Sequence, residues 1–138
     1  MKIQNKFLLA IFLISLCVSP LFAREFSFGP GRFLNRPCEP HLVCPIYDIA
    51  IITGNTLEFK WWHARIGIDR YEFNLYKGSQ MYSDNLILHK ILPFTQSSLE
   101  VDANKFENGQ VYTWSLLQAS DSGLKSERSF ITFKVIKK

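Results

Sequence analysis

Apolar and polar residues alternate with a period of two through the larger part of this 138-residue chain. Successive side chains of a β-strand point to opposite faces, so this alternation is typical of strands with one buried face. The clearest segments are rich in aromatic and β-branched residues and comprise Thr56–His63, Tyr71–Lys77, Val111–Leu117 and Phe130–Ile136. Weaker candidates are Ile46–Thr53, Leu86–Leu92 and Ser98–Val101. No helical repeat of apolar residues extends over ten residues, so the pattern predicts an all-β protein.

Seven short strands with one apolar face each must bury those faces against one another. The simplest arrangement is a sandwich of two antiparallel sheets packed face to face. Its predicted core consists of Leu57, Phe59, Trp61, Tyr71, Phe73, Leu75, Leu99, Val101, Phe106, Tyr112, Trp114 and Leu116. Each large side chain contributes about 1.5–3 kcal/mol when it is buried, so this core is large enough to stabilise one domain over residues 46–138.

The first 23 residues have the three parts of a secretory signal peptide. Lys2 and Lys6 give the positive start, Phe7–Val18 the short apolar run, and Ala23 the small residue before cleavage. A membrane-spanning helix needs about 20 apolar residues, more than this run or any later segment contains. We therefore predict a secreted or periplasmic protein with no transmembrane segment after cleavage. Cys17 lies in a loose bacterial lipoprotein box, but Leu16 before it is larger than that box requires, which disfavours a lipid anchor.

Residues 24–45 form a different kind of segment, with four of the six prolines and little alternation. Proline removes backbone donors and fixes φ, so we predict an irregular N-terminal arm. Cys38 and Cys44 remain after signal cleavage, and a close pair in an oxidising compartment is predicted to form a disulfide. Free thiols are the alternative. A metal site that also used His41 would still lack a ligand, because structural zinc takes four.

The segment Phe106–Trp114 resembles the corner before strand F of a fibronectin type III domain. Members of that family have an apolar residue, a glycine-containing turn, and a tyrosine six positions on, as Phe106 and Tyr112 are here. Trp114, Leu116, Ser126 and Phe130 continue the pattern of bacterial exported members, and Trp61 and Tyr71 fit strands B and C. The resemblance implies a seven-stranded immunoglobulin-like β-sandwich and gives the Tyr112 hydroxyl the role of bonding to nearby backbone. Gln118 stands where the family has a small apolar residue, which predicts a bulge or an early strand end.

We predict no nucleic-acid partner. The net charge is +4, and without Lys2 and Lys6 the remaining 14 Lys and Arg face 12 Asp and Glu, a net charge of +2. This small excess is not gathered into one stripe, whereas nucleic-acid-binding proteins concentrate positive charge on one face.

We also predict no catalytic site, metal site or cofactor. His41, His63 and His89 are scattered through the chain. Ser122, His63 and Asp121 would supply the residue types of a catalytic triad, but Ser122 lies in an ordinary Asp-Ser-Gly turn without a Gly-x-Ser-x-Gly elbow. The sequence has no phosphate-binding glycine loop and no zinc motif.

Recognition of a partner remains. The loops between strands B and C and between F and G share one end of this fold, and here they carry His63, Arg65, Asp121 and Lys125. By the alternation, Trp62 and Tyr76 point away from the core, where aromatic rings bind proteins or stack on sugars. We predict an exported, non-catalytic module for a protein or cell-envelope partner. The alternatives are a carbohydrate-binding module that uses Trp62 and Tyr76, and a passive structural domain that self-associates through a strand edge.

Overall fold

The computed structural model describes residues 36–46, 48–63 and 67–138, which belong to one compact unit. The predicted signal peptide and most of the arm lie outside the described residues. Within the described part the strands are β1 Leu42–Cys44, β2 Ile49–Ile52, β3 Thr56–Trp61, β4 Ile68–Lys77, β5 Leu86–Pro93, β6 Ser98–Asp102, β7 Val111–Ser120 and β8 Ser129–Lys137. Two 3-10 helices, η1 Ser83–Asn85 and η2 Ala103–Lys105, flank β5 and β6. In this part of the chain no helix has the length and apolar character needed to cross a membrane.

The strands form two sheets, as the alternation predicted. One sheet has the order β1-β3-β6 and the other β2-β8-β7-β4-β5. Neighbours are antiparallel except β2 and β8, which are parallel. All seven predicted strands are present, so the sandwich is confirmed. The eighth strand, β1, lies in the segment predicted to be irregular, and three residues between prolines are too short to show an alternation.

The core lies between the sheets and contains all twelve residues predicted for it. Phe59 is at its centre and has no exposed surface. Its ring centroid is 5.2 Å from those of both Phe73 and Trp114, and 6.0 Å from that of Phe133, each in an edge-to-face arrangement. Such arrangements are the favoured geometry for aromatic pairs, so the core is an interlocked aromatic cluster.

The first part of the chain changes from one sheet to the other at Pro45. β1 pairs with β3, whereas β2 pairs with β8 in the opposite sheet. The indole N–H of Trp114, which is fully buried, donates to the Pro45 carbonyl over 3.2 Å and fixes the position of the crossing. As a result, β1 forms an edge of the three-stranded sheet beside the end of β3, and β2 forms an edge of the five-stranded sheet beside the end of β8.

The predicted disulfide is wrong, because Cys38 and Cys44 are free thiols and both are exposed. The side-chain amide of Gln118 donates to the Cys38 carbonyl and holds that residue at the end of β7. The chain then extends along β1 at about 3.3 Å per residue. Cys44 instead pairs with Lys60 of β3, so the two cysteines are held against different strands.

Phe106 and Tyr112 form the predicted corner. The backbone N–H of Glu107 donates to the Tyr112 hydroxyl over 2.8 Å, and the Phe106 ring packs edge-on against that of Tyr112 with a centroid distance of 5.1 Å. The carboxylate of Glu107 accepts from the ammonium of Lys77 over 2.7 Å, and this hydrogen bond raises the pKa of Lys77. The corner therefore ties the start of β7 to the end of β4.

Replacing Tyr112 with phenylalanine is expected to lower the free energy of unfolding by about 1 kcal/mol, because the Glu107 amide loses its acceptor while the ring stays. Urea denaturation followed by tryptophan fluorescence measures this change. Tyr82→Phe is the matched control, since Tyr82 is 66% exposed. Equal stability of the Tyr112→Phe variant and the unaltered chain would show that this hydrogen bond does not stabilise the corner.

Candidate functional site

Two loops meet at one end of the sandwich, which we call the loop pole. The loop between β3 and β4 spans 62–67, and the loop between β7 and β8 spans 121–128. They lie together because Ile68, at the start of β4, pairs with Ser120, at the end of β7. The register shifts between Ile68 and Arg70, so the extra residue, Asp69, lies on β4. The irregularity predicted at Gln118 is wrong, because Gln118 pairs in register with Tyr71 and β7 continues to Ser120. The turn after β5 lies at the same end, since Phe94 donates its N–H to the Asp69 carbonyl over 3.2 Å.

Residues 36–41 of the arm run across the loop pole. The guanidinium of Arg36 donates to the Lys125 carbonyl over 2.7 Å and forms an ion pair with Glu127. Ser129 donates its hydroxyl to the Pro40 carbonyl over 2.5 Å. Trp62 donates its N–H to the His41 carbonyl over 2.9 Å. These bonds connect the arm to both loops, so part of the predicted arm belongs to the surface of the candidate site.

Trp62 is the most prominent side chain of the loop pole, with 66% of its surface exposed, as the alternation predicted. The His41 ring lies against it at a centroid distance of 4.4 Å and an interplanar angle of 41°. Because the backbone of Trp62 is also bonded to His41, its ring is held in place while remaining accessible. A fixed, exposed indole is suited to an apolar pocket of a protein partner or to the face of a sugar.

A second aromatic pair lies beside the first. The His63 ring is 6.2 Å from that of Phe94, of which 43% is exposed. Sequence reasoning identified His63 but missed Phe94, because Phe94 lies outside the alternating segments. The available signal was an apolar ring in the turn sequence Pro93-Phe94-Thr95.

Lys125 does not point freely into solvent. Its ammonium is 2.9 and 3.0 Å from the two carboxylate oxygens of Glu72, whose side chain is only 12% exposed. The guanidinium of Arg70 is 3.8 Å from the same carboxylate. Glu72 is largely buried, whereas about half of the Lys125 side chain is exposed, so the pair joins a surface loop to a carboxylate inside the sheet. In the structure Lys125 therefore anchors the β7–β8 loop to β4.

The other predicted site residues differ in placement. Asp121 is exposed in the β7–β8 loop, whereas Arg65 lies outside the described residues. The Ser122 hydroxyl bonds to that of Ser120 over 2.7 Å, and the His63 ring faces Phe94. Among the described residues, no three His, Cys, Asp or Glu side chains are placed to hold a metal ion.

Tyr76 is not part of the loop pole, and the prediction of an exposed ring there is wrong. It lies near the opposite end of β4 and is 7% exposed. β4 is an inner strand of its sheet, where Tyr76 is flanked by Leu86 of β5 and Thr113 of β7. Asn74 on the same face is also buried and contacts the ring of His89 over 2.6 Å. Alternation predicts the face of a sheet but not whether neighbouring side chains cover it.

Comparison with solved structures relates this geometry to known proteins. No protein-family model matches the sequence, and no curated protein matches it. The FN1-FN3 domains of chicken CNTN1 align with a TM-score of 0.52 and 10% identity over 73% of this chain. The fibronectin(III)-like modules of Clostridium thermocellum CbhA align with a TM-score of 0.50 and 17% identity over 71% of this chain. The chain has a fibronectin type III-like fold.

The chain spans 33% of the CNTN1 structure and 97% of the CbhA structure. In this fibronectin type III-like domain, the tyrosine hydroxyl of the corner bonds to backbone as the resemblance implied. The loop pole is formed by the loops that follow strands B and F of the fold, and the arm adds His41 to them. At these identities the likeness concerns the fold, and the side chains of the pole are considered on their own chemistry.

Proposed function

We propose that the chain is an exported, non-catalytic binding module that recognises a protein or cell-envelope partner through the loop pole. The observation that carries this proposal is the exposed indole of Trp62, held by the main chain and the ring of His41. Aromatic residues in such positions dominate the binding energy of many interfaces because they bury a large area with few torsions to fix. The surrounding sandwich holds the loops in place, as is typical of binding loops on rigid scaffolds.

The proposed export rests on the amino-terminal sequence. A positive start, an apolar run and a small residue at Ala23 support a signal peptide over residues 1–23. Its removal would leave the arm from Arg24 at the start of the mature chain, in a secreted or periplasmic location. Tagging the carboxyl end and determining the amino-terminal residue of the mature protein by mass spectrometry tests both the cleavage site and the compartment.

Trp62→Ala is expected to weaken binding of the partner at least about tenfold, because an aromatic anchor contributes about 2 kcal/mol or more. The measurement is co-purification from cross-linked cell-envelope extract, followed by titration of the identified partner. Tyr82→Ala is the matched control, since Tyr82 is as exposed as Trp62. It lies in the segment between β4 and η1, which is not one of the two loops of the pole. That variant is expected to bind as the unaltered chain does.

Three results would contradict the proposal or select an alternative. Recovery of the partner to the same extent with Trp62→Ala would exclude the loop pole as the binding surface. Binding to a glycan array that is lost in Trp62→Ala would favour the carbohydrate module, which now depends on Trp62 because Tyr76 is buried. A concentration-dependent dimer with no other partner would favour the self-associating structural domain.

A further inference from the structure

A groove of about 590 Å³ runs along the side of the sandwich where the chain changes sheets. Residues 39–42 of the arm and β1 form one wall, and residues 128–131 at the start of β8 form the other. His41 belongs both to this wall and to the stack with Trp62, so the groove is continuous with the loop pole. A partner bound at Trp62 would therefore have direct access to it.

The first half of β8 is an open strand edge. β2 pairs only with Lys134–Lys137, and the residues before them pair with β7 alone. The N–H of Lys134 donates to the Asp48 carbonyl over 2.6 Å, which shows that its backbone faces the β2 side. Backbone direction alternates along a strand, so the N–H and C=O groups of Phe130 and Thr132 face that side too. Among the described residues, no backbone group bonds to them.

Unpaired N–H and C=O groups at this spacing are satisfied by another extended main chain. The opening extends from Ser129 to Phe133, since the Asp48 carbonyl and β2 occupy the edge beyond that point. At about 3.3 Å per residue this accommodates about five residues. Residues 39–42 form the wall opposite this edge, so the unpaired groups lie within a groove that a single extended segment can enter.

We propose that this edge binds an extended peptide of the partner, which adds to β8 as a strand in line with β2. This inference rests on the proposed function and specifies its partner. Alternate side chains of the peptide would face Leu42 and Ile131, which are partly buried apolar residues, and the others would lie beside Phe130, which is 57% exposed. Two charged residues line the groove, Arg128, whose guanidinium donates to the Ser115 hydroxyl over 3.1 Å, and Glu39, which is exposed. Glu39 has no ion-pair partner among the described residues, so a lysine or arginine in the peptide would pair with it at the arm side of the groove.

The probe is a phage-displayed library of random peptides of about nine residues, long enough to exceed the opening. It is selected on the full chain with its own amino-terminal segment. We expect enriched peptides with apolar residues at alternate positions and a basic residue near one end. Binding of a selected peptide is compared between Phe130→Pro and Phe130→Ala, which both remove the ring, while only proline removes the outward N–H. The proline variant is expected to bind at least about tenfold more weakly, from the lost hydrogen bond and the steric bulk of its ring.

Amide exchange on the unaltered chain gives a second readout that needs no variant. The peptide is expected to slow exchange at Phe130 and Thr132, whose N–H groups face the open edge, while that at Ile131, whose N–H faces β7, changes little. This comparison decides the inference even if the proline variant does not fold.

Several outcomes would overturn the inference. Equal binding by the two Phe130 variants, or no change in exchange on peptide binding, would exclude strand addition to β8. Slow exchange in the free chain that becomes fast when residues 24–35 are deleted would assign the edge to the chain's own arm, and slow exchange lost on dilution would assign it to a second copy. Loss of the partner in Trp62→Ala but not in Phe130→Pro would leave the proposed function intact and refute the peptide edge.

Discussion

Replacing Phe59 with alanine is expected to lower the free energy of unfolding by about 3–5 kcal/mol. Phe59 has no exposed surface, and from the three-stranded sheet it contacts the rings of Phe73, Trp114 and Phe133 in the five-stranded sheet. Its removal leaves a cavity bounded by rigid rings that cannot all move inward, so the lost burial and the cavity both contribute. Because small domains are stable by only about 5–15 kcal/mol, this substitution alone can bring the domain close to unfolding.

Denaturation in urea, monitored by circular dichroism, measures the effect. Phe130→Ala is the matched control, since the same atoms are removed from a side chain that is 57% exposed, and the expected loss is below about 1 kcal/mol. Similar losses in the two variants would mean that Phe59 is not the centre of the core. A lower dependence of the unfolding free energy on urea concentration would indicate a change in the compactness of the unfolded or native state, or unfolding in more than one step.

The second large effect on stability is expected at Trp61, where two substitutions separate the contribution of the ring's volume from that of its indole N–H. This side chain is 2% exposed, and its indole N–H has no acceptor among the described residues. Trp61→Ala is expected to cost about 3–5 kcal/mol through the cavity it creates. Trp61→Phe is expected to change the stability by no more than about 1 kcal/mol, because the smaller ring leaves a void but also removes an unsatisfied buried donor.

Trp114→Phe provides the comparison for this prediction. Trp114 is also buried, but its indole N–H donates to the Pro45 carbonyl over 3.2 Å. Substitution therefore leaves a buried carbonyl without its donor, and we expect a loss about 1–3 kcal/mol greater than that of Trp61→Phe. Thermal and urea unfolding of both variants test the difference. Equal losses would indicate that the Trp61 indole has a hydrogen-bond partner in solution.

The sandwich and its core could be predicted because they follow from local alternation. Leu57, Phe59 and Trp61 recur every second residue, and burial of one face of each strand then leaves few arrangements of two sheets. The corner was recognisable for the same reason, since Phe106 and Tyr112 are only six residues apart.

The rest depends on contacts between residues that are distant in sequence. Tyr76 is buried because two neighbouring strands flank it, and its own segment carries no signal of that. β1 is defined by pairing with Lys60 and Trp61 rather than by its three residues. The groove beside β8 arises only because the chain changes sheets at Pro45. The exposure of Trp62 followed from its position in the alternating pattern, whereas its contact with His41 left no signal in the sequence.

The direction of β8 has a practical consequence for orienting the molecule. This strand leaves the loop pole at Ser129 and runs to Lys137 at the far end, where the N–H of Lys138 donates to the Ile52 carbonyl over 3.0 Å. Residues 36–41, by contrast, lie on the pole itself. Immobilising the protein through a tag placed after Lys138 therefore presents Trp62 and the β8 groove outward from the support, whereas a bulky fusion joined just before Arg36 would obstruct them.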